Sequence, residues 1–417
     1  MNLFDDYYVE LLKNELLVAQ GCTEPLAVAY LGSVARHVLG TDPEEVFLEC
    51  SNNIIKNVRC VSIPNAVDMQ GIMACCMLGI YGGDHTQGYG SIKNITDEAK
   101  QRTKDAIDNQ IIKVKNLVSE YKLHMKLKIM NGNNYAYVEI AGSHLNIIKV
   151  IRNDNVLYEK EYIEKEVIYN KDALKFSNIF EFVNRFDISL LRDMMENQIE
   201  CNMDIAKAGI DNNYGVGIGN ILLEKENNVY DMIKAYTSAA SEARMCGCVK
   251  PVVINSGSGN QGISTSVPVI VYAHFYKINR DTLIRALVLA NLLTIKQKYK
   301  IGPLSAFCGV VSSCCSASAA ITYLAGGTSD QIKQAMKNHL AIVPGIICDG
   351  AKASCAAKIA ICLESAILSH KLAINDTGYL SGIGIIKDTI DETIDVVSSI
   401  GHDGMRETDE EIMKNLL

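Results

Sequence analysis

Tryptophan is missing from the 417 residues, and that absence excludes nothing. Other absences exclude more. No apolar run approaches the roughly 18 residues needed to span a bilayer, and no N-terminal segment joins basic residues to an apolar stretch as an export signal does. A surplus of positive charge is also missing. The formal net charge is -8, which leaves no broad basic face for nucleic acid. What the chain does have is thiol. Its 14 cysteines, in a chain expected to be cytoplasmic, stay reduced, so metal binding or catalysis is expected rather than a disulfide framework. Hydrophobic residues make up 48% of the sequence, enough to bury a large core, and the length allows two or three domains of roughly 150 residues. These properties suit a protein acting on a small molecule, with no nucleic-acid or membrane partner. A homodimer is compatible with them.

Periodicity divides the chain near residues 170–172. Residues 5–39 carry apolar positions at helical spacing, interrupted at Gly21-Cys22-Thr23-Glu24-Pro25. Here one helix is expected to end and another to start, with Thr23 as N-cap and Pro25 in the first turn. Residues 46–50, 57–63 and 123–161 alternate with strand period and are rich in Val, Ile and Tyr. Asn131-Gly132-Asn133-Asn134 and Arg152-Asn153-Asp154-Asn155 punctuate the last stretch as hairpin turns. From residue 177 onward the pattern is almost wholly helical, and runs such as Ala317-Ser318-Ala319-Ala320 let helices approach closely. The expected class is therefore α+β. Residues 1–170 form a mainly antiparallel sheet with packed helices, the N-terminal helices reaching the active site, and residues 171–417 form a mostly helical domain. No internal repeat is visible.

Three cysteines stand out, Cys308 in Phe307-Cys308-Gly309 and the pair in Cys348-Asp349-Gly350-Ala351-Lys352-Ala353-Ser354-Cys355. Three thiolates rather than four suit an iron-sulfur cluster with one iron left open, which can act as a Lewis acid on substrate. Geometry constrains the pair. On one continuous helix their Cα atoms would lie roughly 10 Å apart at 1.5 Å per residue, too far for two ligands of one small cluster. Pro344-Gly345 and Asp349-Gly350 break the chain, however, so Cys348 is expected on a loop and Cys355 early in a helix that Asp349 caps. The alternative is that both are small buried thiols, a common role for free cysteine.

Other motifs are less specific. Gly257-Ser258-Gly259-Asn260-Gln261-Gly262 matches G-x-G-x-x-G, but Pro268 and an extended-looking 267–273 follow where a crossover helix should begin. A Gly-rich turn binding a carboxylate through backbone N–H groups, Asn260 and Gln261 is the preferred reading, with a structural tight turn as the alternative. Lys352 could pair with a substrate carboxylate, offset cluster charge, or simply be solvated. Cys314 and Cys315 are either substitute ligands or core residues. Cys75-Cys76 and Cys246-x-Cys248 lack a partner motif at zinc spacing. The Asp409-Glu410-Glu411 run is expected to cap a helix after Thr408.

Taken together, Gly21-Cys22-Thr23-Glu24-Pro25, Asn255-Ser256-Gly257-Ser258-Gly259-Asn260-Gln261-Gly262, residues 302–309, residues 348–355 and Gly404-Met405-Arg406-Glu407-Thr408-Asp409 resemble the motifs of the L-cysteine desulfidase family. That family is related to the α-chain of bacterial iron-sulfur L-serine dehydratases. The resemblance implies a 4Fe-4S enzyme converting L-cysteine and water to pyruvate, ammonia and hydrogen sulfide. It implies Cys308, Cys348 and Cys355 as cluster ligands and Cys22 as a separate catalytic residue. Thr23, Glu24, Ser258, Asn260, Gln261 and Lys352 are then expected to bind substrate. Serine-specific relatives share much of this pattern, so an L-serine dehydratase is the nearest alternative and a non-enzymatic iron-sulfur redox sensor the more distant one. Cys22, at an expected helix N-terminus, would have a lowered pKa and could present a thiolate base.

Overall fold

The structure is a computed structural model that describes residues 4–20, 23–63, 65–119, 121, 123–162, 169–223, 228–302 and 305–416. The first helix, α1 (Asp5–Glu15), is followed by a short strand, β1 (Val18–Gln20), and by α2 (Thr23–Leu39). Then come β2 (Glu45–Cys50), α3 (Asn52–Val58), β3 (Ser62–Ile63), β4 (Ala66–Gln70), α4 (Ile72–Gly82) and α5 (Asp97–Asp108). Five strands complete this part: β5 (Ile112–Asn116), β6 (His124–Asn131), β7 (Asn134–Ala141), β8 (Ile147–Arg152) and β9 (Asn155–Glu159). They form with β2 a six-stranded sheet of order β5-β2-β6-β7-β8-β9, antiparallel except for the β2–β5 pair.

Alternation explains which face of the sheet is covered. Val46, Leu48, Met125, Leu127, Ile129, Ala136, Val138 and Ile140 are buried with the inner faces of α2 and α4 in one core, because successive side chains of a strand point to opposite faces. Both expected hairpin turns are present. Asn131 pairs with Asn134 across Gly132, whose φ is +51°, and Asn153 and Asp154 take the positive φ that a two-residue turn demands. The expected strand at 57–63 is corrected. Ile54, Ile55 and Val58 recur at helical spacing and are buried, so α3 takes residues 57 and 58 and only Ser62–Ile63 is strand.

The second part is helical, as expected. It contains α6 (Phe176–Arg185), α7 (Arg192–Asp211), α8 (Ile218–Leu223) and α9 (Val229–Met245), then a short strand, β10 (Pro251–Val253). After it come α10 (Gly259–Phe275), α11 (Arg280–Ile301), α12 (Val310–Leu324), α13 (Ser329–Ile342), α14 (Cys355–Ile374), α15 (Ile390–Ser399) and α16 (Arg406–Leu416). Every residue of α12 but Tyr323 is buried. Its small residues let α10, α11 and α14 come close enough to bond across the interfaces: Ser313 to Ser264 at 2.6 Å, Ser316 to Gln297 at 2.9 Å and Ser318 to the Ala366 carbonyl at 2.9 Å. This core takes in residues 8–19 as well as 173–397, so α1 packs with the helical part although it comes first in sequence.

Two expectations about helix starts are corrected here. Residues 267–273 are not extended, since α10 runs through them with Pro268 inside it. A strand-turn-helix unit therefore does exist at the glycine-rich motif. Its strand, β10, nevertheless pairs antiparallel with β1 in a two-stranded sheet, which is not the parallel βαβ setting of a dinucleotide site. Thr23 is already helical and its hydroxyl bonds Glu24 at 3.1 Å, so it is no N-cap. The β1–β10 pairing, extended by the Ile254 N–H to the Leu17 carbonyl at 2.9 Å, ties the segment that leaves α1 to the approach to α10. Glu24 in the first turn of α2 nevertheless lines one cavity with Ser258, Asn260 and Gln261 of the glycine-rich turn.

Candidate active site

A cavity of about 120 Å³ opens where α2, α3, the start of α10, the end of α11 and the loops before α12 and α14 meet. An isolated antiparallel bridge, Phe307 with Ile347, builds its floor. The Cys308 N–H bonds the Ile346 carbonyl at 2.8 Å and the Cys348 N–H bonds the Ala306 carbonyl at 2.6 Å. Side chains alternate along such a ladder, so Cys308 and Cys348 share the face opposite Phe307 and Ile347. Their side chains lie together on the cavity. The influence of Cys308, the Gly350 N–H, Lys56 and Lys358 holds Cys348 below the usual thiol range against its burial, while Cys348 and burial push the Cys308 thiol up. Cys355, the first residue of α14, lines the same cavity, and burial raises its thiol. The loop position of Cys348 and the early-helix position of Cys355 agree with expectation. Asp349 is not the cap. It is the shared partner of Lys352 and of Lys358, the latter at 2.7 Å, and it lies well below the usual carboxylate range, at about 2, because those hydrogen-bonded ammonium groups outweigh its burial.

The glycine-rich turn forms the opposite wall. Ser258 is the N-cap of α10 and accepts from the Gln261 N–H at 3.4 Å. Gln261 Nε2 donates to the carbonyls of Asn255 and Ser256, both at 3.3 Å, so its amide Oε1 faces away, buried and without a partner. Gly309 is required there, since a Cβ on it would stand 2.0 Å from that oxygen. From the N-terminal part, Glu24 reaches the cavity and accepts from Asn57 Nδ2 at 3.1 Å. Gly350, at φ +104°, lets the Cys348 loop pass under α3, where a Cβ would meet the Lys56 carbonyl at 2.3 Å.

Of the expected residues, the fold thus gathers Glu24, Ser258, Asn260, Gln261, Cys308, Cys348 and Cys355 around one cavity. Thr23 and Lys352 do not line it. Cys22 lies outside the described residues, immediately before α2. Cys314 and Cys315 are buried inside α12, in the core. Asp409 is not a cap either. It lies within α16 and pairs with Lys56 at 2.5 Å.

Three cationic residues of the cavity were not among the expectations: Lys56, Arg244 and Lys298, which are 3%, 5% and 4% exposed. Burial pushes the Lys298 ammonium down to about 8, against the opposing pull of neighbouring Cys348 and Cys308. Nothing in the pattern marks these residues, because charged side chains are solvated by default. Among the described residues, no three His, Cys, Asp or Glu side chains are arranged to hold a metal ion. An iron-sulfur cluster makes a different demand, since each iron takes its own thiolate. Three thiols from two separated segments, on one cavity and beside buried cations, fit that demand.

A family model for the serine dehydratase alpha chain matches residues 89–414 of the sequence. The chain belongs to the serine dehydratase alpha-chain family. Its relatives include UPF0597 proteins of Lachnoclostridium phytofermentans (42% identical, covering 98% of this chain and 99% of the relative), Finegoldia magna (40%, 98% and 99%) and Treponema denticola (37%, 98% and 97%). The region matched by the family model contains the three cysteines, Arg244, Lys298 and the glycine-rich turn. Glu24, Lys56 and Asn57 precede it, so one wall of the cavity is built by residues outside that match, within the span that the full-length relatives share.

Proposed function

We propose that the protein is an iron-sulfur lyase of the serine dehydratase type that degrades L-cysteine to pyruvate, ammonia and hydrogen sulfide. The observation that carries this reading is the convergence of Cys308, Cys348 and Cys355 on one cavity. They are the proposed ligands of a 4Fe-4S cluster. When bound, such a cluster supplies Lewis acidity at its open iron toward the leaving sulfur. The chain's own residues do the rest. Lys298 and Lys56 place positive charge beside the thiolates, which offsets the cost of holding negative charge in a buried site. Asn260, at the start of α10, lines the cavity and binds the substrate carboxylate. Cys22, immediately before α2, is the proposed base. A thiol at a helix N-terminus ionises more readily, and Glu24 two residues later lines the cavity. Loss of the α-proton and of sulfide leaves an enamine acid that tautomerises and hydrolyses to pyruvate and ammonia.

The test is steady-state turnover of L-cysteine and of L-serine by anaerobically reconstituted protein, with iron and sulfide quantified in the same sample. Pyruvate with stoichiometric sulfide from L-cysteine, at the higher kcat/KM, is expected. A preference for L-serine would assign the dehydratase that the family description names. No pyruvate from either, with a full iron complement, would assign a redox-sensing role.

A further inference from the structure

Arg244 is the last basic residue of α9 and is 5% exposed. It lies against Gly259, where a Cβ would stand 2.3 Å from its Nε. Its one side-chain hydrogen bond among the described residues runs from Nη1 to Asn260 Oδ1 at 3.3 Å, and Nε is buried without a partner. The nearest carboxylate in sequence, Glu242, accepts instead from the N–H groups of Val216 and Ile218 at 2.8 and 2.9 Å. Arg244 therefore has no ion-pair partner among the described residues, and a buried cation without one is costly. The positive charges that act most on Cys348 and Cys355 are those of Lys56, Lys352 and Lys358, and the bond that Arg244 makes points to Asn260. On the same wall as Arg244, Gln261 Oε1 is a buried acceptor without a donor, and its orientation is fixed because Nε2 is committed to two carbonyls. A guanidinium lacking an anion and an amide oxygen lacking a donor complement the two ends of one small zwitterion.

We infer that Arg244, with Asn260 at the N-terminus of α10, anchors the substrate's α-carboxylate while Gln261 Oε1 accepts from its α-ammonium, so that the site selects zwitterionic α-amino acids over simple carboxylic acids and over amides. This rests on the amino-acid lyase reading but concerns recognition and not elimination. L-alanine, which has no leaving group, reports recognition alone. Calorimetric titration of the reconstituted chain should show L-alanine binding at least 10-fold tighter than propionate or L-alaninamide. Loss of a charge-assisted bond typically weakens binding roughly 10-fold to 150-fold, so Arg244→Gln should weaken L-alanine by that factor, leave L-alaninamide unchanged and retain iron. KM for the turned-over amino acid should rise more than kcat falls. Gln261→Met should abolish the advantage of L-alanine over propionate. If Arg244→Gln fails to fold, Arg244→Lys, which keeps charge but not the fork, is read by the same ratios and should lose part of the preference for carboxylate. Wild-type protein that binds no L-alanine, or an Arg244 variant that binds it as wild type does, would overturn the inference. Arg244-dependent binding of L-alanine without turnover of any amino acid would sink the lyase reading and leave the inference standing. Turnover unaffected by Arg244→Gln would do the reverse.

Discussion

Replacing Asp409 by Asn should loosen the C-terminal helix and with it the wall of the cavity. Lys56 on α3 is 3% exposed, and its ammonium pairs with Asp409 of α16 at 2.5 Å across 353 positions of sequence. Removing one partner of a fully buried pair typically costs about 3–5 kcal/mol, because the other charge is stranded. Here the Asp409 side chain is 24% exposed, so water can reach the ammonium once the carboxylate is gone, and about 1–3 kcal/mol is the better expectation. A chain of this size need not unfold in one step, which makes a local measurement preferable to a melting curve. Amide hydrogen exchange in residues 406–416 should accelerate roughly 5-fold to 150-fold if opening of α16 is governed by this pair. Because Ile347 and Asp349 line a depression with Thr408, Glu411, Ile412 and Asn415 of α16, iron retention should fall in the same variant. Combining Asp409→Asn with Lys56→Met removes the stranded charge and should recover most of the protection, a non-additivity that marks a direct pair. Exchange at wild-type rates in Asp409→Asn, or strictly additive single variants, would refute the latch.

Further outcomes follow from the same geometry. Single replacement of Cys308, Cys348 or Cys355 by Ala should abolish the brown chromophore and turnover together, and full iron content in any one variant would remove that residue from the ligand set. Cys22→Ser should keep iron and lose most turnover, because a serine hydroxyl is essentially un-ionised near neutral pH; loss of iron would make Cys22 a ligand instead. Gly79→Ala should destabilise the N-terminal core by about 1–3 kcal/mol or more, since the new methyl would lie 1.9 Å from the Ala29 carbonyl where α4 crosses α2. An unchanged urea midpoint would mean that the two helices part easily.

Much of the fold can be read from local pattern. The hairpins at 131–134 and 152–155 are written in Asn, Asp and Gly because positive φ there is a local requirement, and the close helix packing around α12 is written in its Ser and Ala. The position of Cys355 is legible for the same reason, from the turn residues that precede it. Elsewhere local pattern misleads. Val267, Val269, Ile270 and Val271 favour strand and Pro268 disfavours helix, yet α10 carries all of them because every residue from Gly259 to Ala273 is buried among its neighbours, and packing outweighs propensity. Likewise 57–63 has strand-like residues, but burial of Ile54, Ile55 and Val58 on one face carries α3 through residue 58 and leaves only Ser62–Ile63 as strand. The cysteine triplet could be named from its motifs, whereas the cations around it could not. Lys56, Arg244 and Lys298 have the composition of solvated side chains, and only the meeting of segments hundreds of residues apart buries them. Sequence alone thus determines the elements and the chemistry of the thiols. Tertiary structure decides which charges face that chemistry, because desolvation is a property of everything that surrounds a residue and not of its neighbours in the chain.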